Sequence, residues 1–189
     1  MSERNYHGAR WSPLVIALHW SSGFLILALL ALGWLMAHGQ FDAAARFDMY
    51  QLHKSLGFAA LALFVARGIV RATTTSPASL PMPAWERRSA EVAHFGLYLL
   101  SSISILSGWL VVSSAIVHVP SRFFDLFVVP DIPGVSVMQF GFAQSLHFLS
   151  VWSLAALLAL HVCAALKHYF FNGDAVLTRM LPAGRKSRE

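Results

Sequence analysis

The segment from Leu146 to Phe171 is an almost unbroken apolar run of 26 residues. A helix needs about 20 apolar residues to cross the hydrocarbon core of a bilayer, so this segment predicts one membrane-spanning helix. Three histidines interrupt it, His147, His161 and His168. The first two are fourteen residues apart, which at about 100° per residue places them on one face, about 21 Å apart along the axis. The helix therefore presents imidazoles at two membrane depths.

Three further apolar segments predict three more spanning helices. The composition agrees, because 57% of the residues are hydrophobic and only 12% are charged, which is typical of a membrane protein. We therefore predict an all-α fold, an integral membrane four-helix bundle that forms one domain over residues 1–189. The predicted spans are residues 13–37, 51–71, 91–116 and 146–171. The predicted connections are a short polar one at 41–50, a proline-rich loop at 73–83 and an aromatic-rich loop at 117–144.

Lysine and arginine are distributed unevenly over the two sides of this bundle. Eleven of the fourteen lie in the terminal tails, in the 71–91 loop or at the adjoining helix ends, and only Arg46, Lys54 and Arg122 lie in the other two loops. Because cytoplasmic loops carry the excess of positive charge, both termini are predicted to be cytoplasmic. The net charge of +5 is thus interpreted as a topology signal and not as a sign of an anionic partner such as nucleic acid.

This topology sorts four histidines into two pairs by depth. His19 and His161 are predicted near the cytoplasmic face, and His53 and His147 near the outer face. Each pair comes from two different helices, as ligation of a planar macrocycle by two imidazoles requires. We therefore predict two haems held by these pairs. They would be b-type, because the chain has no CxxCH motif and its single cysteine, Cys163, lies inside an apolar helix.

Four other residues are weaker candidates. Gly57, four residues after His53, would let a flat ring approach the backbone, although ordinary small-residue helix packing explains it equally well. Arg67 would pair with a propionate of the inner haem, or would be a snorkelling anchor. His94 and His168, near the cytoplasmic face, would line a quinone pocket and supply a proton there. The alternative for both is an interfacial histidine without a role.

Five short runs of sequence carry these histidines. They are ALHW around His19, LHKSLG around His53, AHFGLYLL around His94, LHF at His147 and LHVCAALKHYF, which holds His161 and His168. Together with the TRMLP run in the tail, they resemble the bacterial cytochrome b561 family over nearly the whole chain. The resemblance implies a four-helix bundle of the bacterial inner membrane with two b haems on the same four histidines. It also implies electron transfer to or from ubiquinone.

The resemblance leaves the electron donor open between two branches of the family. LHKSLG and the aromatic-rich loop are more similar to the branch associated with periplasmic, lipocalin-like, isoprenoid-binding partners than to the branch described as superoxide oxidase. The superoxide branch implies a positive outer surface and quinone reduction near His168. Here the two outer loops hold three basic residues against Asp42, Asp48, Asp125 and Asp131, which steers an anion poorly.

We therefore predict an oxidoreductase or quinone-linked electron carrier that acts between a periplasmic donor, with superoxide among the candidates, and ubiquinone in the lipid. A first alternative is the cytochrome b membrane-anchor subunit of a larger dehydrogenase, such as a hydrogenase or a formate dehydrogenase. A second is a transporter that carries histidines, since a single intramembrane histidine can be a proton relay. Transporters often show broken helices or paired half-repeats, and neither is visible in the sequence.

Overall fold

The computed structural model describes residues 10–78 and 80–182. Its four long helices are α1 (Pro13–His38), α2 (Ala43–Thr73), α3 (Ala84–Ser113) and α4 (Phe140–Lys167), and a π-helical turn (His168–Asn172) follows α4. Four helical segments in these residues are long and apolar enough to cross a membrane. Large apolar side chains such as Phe24 and Leu160 point outward, where a bilayer would cover them. The predicted membrane four-helix bundle is therefore confirmed.

Three helices begin earlier than predicted. α2 begins at Ala43 and not at 51, so the prediction of a polar connection at 41–50 is wrong. Asp42 caps this helix, since its Oδ1 accepts a hydrogen bond of 2.8 Å from the backbone N–H of Ala45. α3 and α4 begin at residues 84 and 140, in place of 91 and 146, and α3 ends at 113 in place of 116. Hydropathy marks the part of a helix that lies in lipid, whereas these helices continue into polar sequence beyond it.

The bundle consists of two helical hairpins. α1 packs against α2 and α3 packs against α4, whereas α2 and α3 contact each other more sparsely. Between α3 and α4 the packing uses small residues, because Ser101, Ser104, Ser107 and Ser150 are all buried. The hydroxyl of Ser104 donates to that of Ser150 over 3.1 Å. Small side chains let membrane helices approach closely, and the hydroxyl pair satisfies its polar atoms without water.

A two-stranded antiparallel ribbon lies between α3 and α4, within the loop predicted at 117–144. Its strands are β1 (Ser121–Phe123) and β2 (Phe127–Val129), and Phe123 pairs with Phe127 at the turn. Phe124 and Asp125 occupy this turn with φ angles of 47° and 58°. Such left-handed angles suit the tight turns of β-hairpins but are unfavourable for a bulky residue. The conformation of this turn is therefore locally unfavourable and must be stabilised by contacts elsewhere in the protein.

Hydrogen bonds from α2 hold the ribbon in place. The Ser55 hydroxyl donates to the carbonyl of Arg122 over 2.8 Å and accepts from the backbone N–H of Phe124 over 3.0 Å. Lys54 Nζ donates to the carbonyl of Val119 over 3.1 Å. Ser55 is only 1% exposed, so its hydroxyl depends on these two partners. This contact fixes the strained turn against the bundle.

The helix ends form two faces. We call the face with residues 10–12, 74–78, 80–83 and 173–182 the terminal face, and the face with residues 39–42 and 114–136 the ribbon face. Residues 174–182, the C-terminal strap, cross the terminal face. The indole of Trp20 donates to the carbonyl of Met180 over 2.7 Å, and Arg179 Nη1 donates to the carbonyl of Ala78 over 2.7 Å. The strap thus joins α1 to the loop before α3. The predicted solvated ends of both tails, with Arg4, Arg185, Lys186 and Arg188, lie outside the described residues.

Replacing Ser55 with Ala is expected to loosen the ribbon, because a carbonyl and an N–H lose their buried partner. We expect the free energy of local opening to fall by about 1–3 kcal/mol, measured as faster hydrogen exchange of the Phe124 amide. Ser22→Ala is the control, since this buried hydroxyl donates only to the carbonyl of Leu18 in its own helix. Equal protection of the Phe124 amide in both variants would contradict the anchoring role.

Candidate haem sites

Two histidines from different helical hairpins meet near the terminal face. His19 lies on α1 and His161 on α4, and their ring centroids are 6.3 Å apart with the ring planes at 61°. Two imidazoles that bind one metal in line through bonds of about 2 Å have centroids roughly 6 Å apart, so the spacing is compatible with a shared metal. The contact agrees with the predicted pairing by depth, and the ligand assignment stays a prediction.

His94 of α3 belongs to the same cluster. Its ring centroid is 5.5 Å from that of His161, with the planes at 64°. The sequence analysis placed His94 near the membrane surface because it started the third span at 91. α3 in fact begins at Ala84, which puts His94 about three turns into the helix. Sequence reasoning missed this neighbour, because it did not place His94 at the depth of His161.

Arg67 is directed into the bundle at this site. Its Nη2 lies 3.0 Å from Nδ1 of His19, and its guanidinium carbon lies 5.3 Å from the ring centroid of Tyr98. A snorkelling anchor would instead extend toward the membrane surface. A guanidinium beside a haem ligand would suit a propionate, and that pairing stays a prediction.

His147 of α4 is held against α3 near the ribbon face. Its Nδ1 lies 2.9 Å from the backbone carbonyl of Ser104 and 3.3 Å from the hydroxyl of Ser107. Because a carbonyl can only accept, Nδ1 carries the hydrogen and Nε2 is left free to bind a metal. Sequence reasoning missed both serines. Their signal was the spacing of three in Ser101, Ser104 and Ser107, which places small residues on one helix face.

His53 of α2 is the predicted partner of His147. Within residues 10–78 and 80–182, Nδ1 of His53 is buried and has no hydrogen-bond partner. A buried polar atom without a partner is costly, and a redox or catalytic role is one explanation for it. This ring therefore fits a residue that binds a ligand.

Glycines lie against both of these rings. A Cβ on Gly33 would lie 3.4 Å from Cε1 of His53, and one on Gly108 would lie 3.1 Å from Cε1 of His147. A Cβ on Gly57, the candidate for close approach of a flat ring, would meet no atom of the described residues within 4 Å. Tight helix packing therefore does not explain Gly57, and its proposed role beside a haem stays a prediction.

His168 lies in a different setting from His94. It begins the π-helical turn after α4, and its Nδ1 is 2.5 Å from Oδ2 of Asp174 and 3.1 Å from Nδ2 of Asn172. Partial burial acts to raise the pKa of Asp174, but the backbone N–H of Val176 and the ring of His168 outweigh it and hold this pKa below its usual value. Asp174 is a neighbour that the sequence analysis missed.

A family model described as prokaryotic cytochrome b561 matches residues 10–183. The chain belongs to this family. It is 33% identical to cytochrome b561 homolog 2 of Escherichia coli (strain K12) over 174 residues, which cover 91% of each chain. It is 26% identical to the probable superoxide oxidase CybB of Yersinia pestis over 189 residues, which cover 93% of this chain and 98% of that protein.

This cytochrome b561 family member is therefore a membrane electron-transfer protein, and the family implies b-type haem. The histidines fit b-type haem, because the imidazoles of His19 and His161 approach each other from separate helices and Nδ1 of His147 is fixed by a carbonyl. In the part of the chain that the structure describes, no group of three His, Cys, Asp or Glu side chains suits a metal ion without a porphyrin. Family membership also argues against the transporter alternative.

Replacing Gly108 with Ala is expected to displace the His147 ring, since the new Cβ would lie 3.1 Å from it. Overpacking of this kind costs about 1–3 kcal/mol, so we expect lower thermal stability and less haem per chain. Gly68→Ala is the control, because its Cβ would meet no described atom within 4 Å. Both variants gain the same helix propensity, about 1 kcal/mol. Equal haem content in the two would contradict the contact with His147.

Proposed function

We propose that this cytochrome holds two b-type haems and passes electrons through the bacterial inner membrane between a periplasmic donor and ubiquinone. The observation that carries the proposal is the approach of His19 and His161, at 6.3 Å between centroids, from helices of different hairpins. A second pair, His53 and His147, would lie about 21 Å away along α4 and extend the path toward the other face. In this proposal the terminal face is cytoplasmic, as the distribution of Lys and Arg favours.

His19 and His161 would hold the haem near the terminal face, and His53 and His147 the one near the ribbon face. When bound, each haem would supply one-electron transfer chemistry, and ligation by two histidines would favour electron transfer over oxygen binding. The protein orients the ligands through contacts such as that of His147 with the Ser104 carbonyl. The low dielectric of the surrounding helices helps to set the potential.

His168 is the residue that we assign to proton transfer at the quinone. Reduction of a quinone to a quinol takes up two electrons and two protons, so the site needs a proton donor that water can reach. His168 lies at the terminal face with its side chain 14% exposed. His94, the other candidate, is the more exposed of the two, but its ring centroid lies 5.5 Å from that of His161, a predicted haem ligand. The quinone site is therefore proposed beside His168.

The charges of the ribbon face indicate which periplasmic electron donor is favoured. Arg122 on this face and Arg46 and Lys54 of the adjoining α2 are its nearby cations, and Arg122 lies 3.6 Å from Asp125. They are opposed by four aspartates of the same side, Asp42, Asp48, Asp125 and Asp131. A face with this charge balance attracts an anion poorly. Superoxide is thus disfavoured relative to a periplasmic redox partner, of which a lipocalin-like protein is one candidate. Stopped-flow mixing with superoxide, with and without ubiquinone, distinguishes the two.

Replacing His161 with Ala is expected to remove the haem near the terminal face and to keep the other. The pyridine haemochrome should report one haem per chain where the parent has two, and a redox titration should lose one of two components. Cys163→Ala is the control, because this cysteine is exposed on the same helix. Two haems in both variants would refute the assignment of His161.

Replacing His168 with Gln is expected to slow ubiquinone reduction while both haems are retained. A positioned proton donor contributes about 10²- to 10⁴-fold, so we expect a loss of at least about tenfold. Turnover is measured with an artificial donor that reduces the haems directly, so that the result does not depend on the physiological donor. Unchanged turnover would exclude His168 from the quinone site.

A further inference from the structure

The turn after α4 brings two residues of the C-terminal segment together. Gly173 ends the π-helical turn with a left-handed φ of 63°, and the backbone N–H of Asp174 then donates to the carbonyl of His168 over 3.2 Å. The side chains of the same two residues also meet, with Oδ2 of Asp174 2.5 Å from Nδ1 of His168. π-helical turns are rare and occur frequently at functional sites. Here the turn places a carboxylate beside an imidazole.

The carboxylate is fixed at both of its oxygens. Oδ1 of Asp174 accepts from the backbone N–H of Val176 over 3.0 Å, while Oδ2 faces the ring. The side chains of His168 and Asp174 are 14% and 30% exposed, so the pair is partly shielded from water. With its pKa held below the usual value, Asp174 is ionised at neutral pH.

An ionised carboxylate only accepts hydrogen bonds, and this determines the state of the ring. Nδ1 of His168 must carry a hydrogen, which leaves Nε2 as the nitrogen that gains and loses a proton. The side-chain amide of Asn172 lies 3.1 Å from the same Nδ1, and with Nδ1 protonated its oxygen would face the ring, since the two amide orientations are assigned from hydrogen bonding.

We propose that Asp174 is a positioning residue that holds His168 with its hydrogen on Nδ1 and presents Nε2 to the quinone. The inference rests on the proposed function of His168. For each of the two protons that the quinone takes up, the protonated ring gives the proton on Nε2 to a quinone oxygen and cytoplasmic water returns a proton to Nε2, while the two electrons come from the haems. The carboxylate stabilises the imidazolium before the transfer and keeps the ring in one orientation after it.

Asp174→Asn separates this role from a purely structural one. The asparagine keeps an oxygen for the Val176 N–H, so the strap turn is retained, but it directs an NH₂ group at Nδ1 of His168. The neutral ring is then expected to move its hydrogen to Nε2. ¹⁵N NMR of histidine-labelled protein with reduced, diamagnetic haems measures the tautomer, and the His168 signals are identified by their loss in His168→Gln. Ubiquinone reduction should fall at least about tenfold with two haems retained.

The chain offers a matched control in Asp131→Asn. Asp131 lies 3.4 Å from Nδ1 of His118 at the ribbon face, so this variant alters a second His–Asp pair that is far from the proposed quinone site. It should leave the His168 tautomer and quinone turnover unchanged. Asp174→Glu keeps the carboxylate and should restore the Nδ1–H tautomer.

The outcomes separate the two proposals. An unchanged His168 tautomer in Asp174→Asn overturns the positioning role of Asp174, whatever the turnover. A changed tautomer with unchanged turnover in Asp174→Asn also overturns it. Unchanged turnover in His168→Gln overturns the proposed quinone role of His168 itself, independently of the NMR result. A tautomer change together with slower turnover, rescued by Asp174→Glu, supports the inference.

Discussion

Polar groups inside a membrane span must find partners within the protein, because lipid offers none. This constraint governs the contacts of the bundle. The hydroxyl of Ser104 donates to Ser150 while its carbonyl accepts from His147, so one turn of α3 both joins two helices and orients an imidazole. The buried serines that permit close packing of α3 on α4 are therefore also those that fix a candidate haem ligand. Packing and chemistry at this interface depend on the same residues.

Hydropathy and the 3.6-residue period sufficed to predict four spans and the pairing of histidines by depth. Both signals depend only on residues that are close in sequence. Both are present in a membrane protein, because a spanning segment must be apolar whichever helix it packs against. The extension of α2 back to Ala43 was missed because its first two turns include polar residues and lie beyond the apolar part. The same error for α3 hid the approach of His94 to His161. A helix start that is wrong by two turns changes the position along the helix of every residue counted from it.

Other parts of the sites lay outside the reach of sequence reasoning for a different reason. Asp174 meets His168 only because a π-helical turn and a left-handed glycine reverse the chain between them, and neither feature has a periodic signature. The contact of Ser107 with His147 depends on how far α3 is rotated toward α4. The rotation of a helix about its axis is determined by how its many small side chains pack together against the neighbouring helix. Spacing alone predicts the ligands, whereas their supporting contacts require the packed structure.

The strap over the terminal face has a consequence for biogenesis. Its backbone contacts tie Trp11 and Trp20, at the start of the chain, to Arg179 and Met180 near the end of the described residues. The first helix leaves the ribosome long before these partners are synthesised, since translation proceeds at about 5–20 residues per second. Until the last span has been inserted, the indole of Trp20 must therefore donate its hydrogen bond to water or to lipid headgroups. These contacts can form only after α4 and the strap have been synthesised, and a chain shortened before residue 179 would lack them.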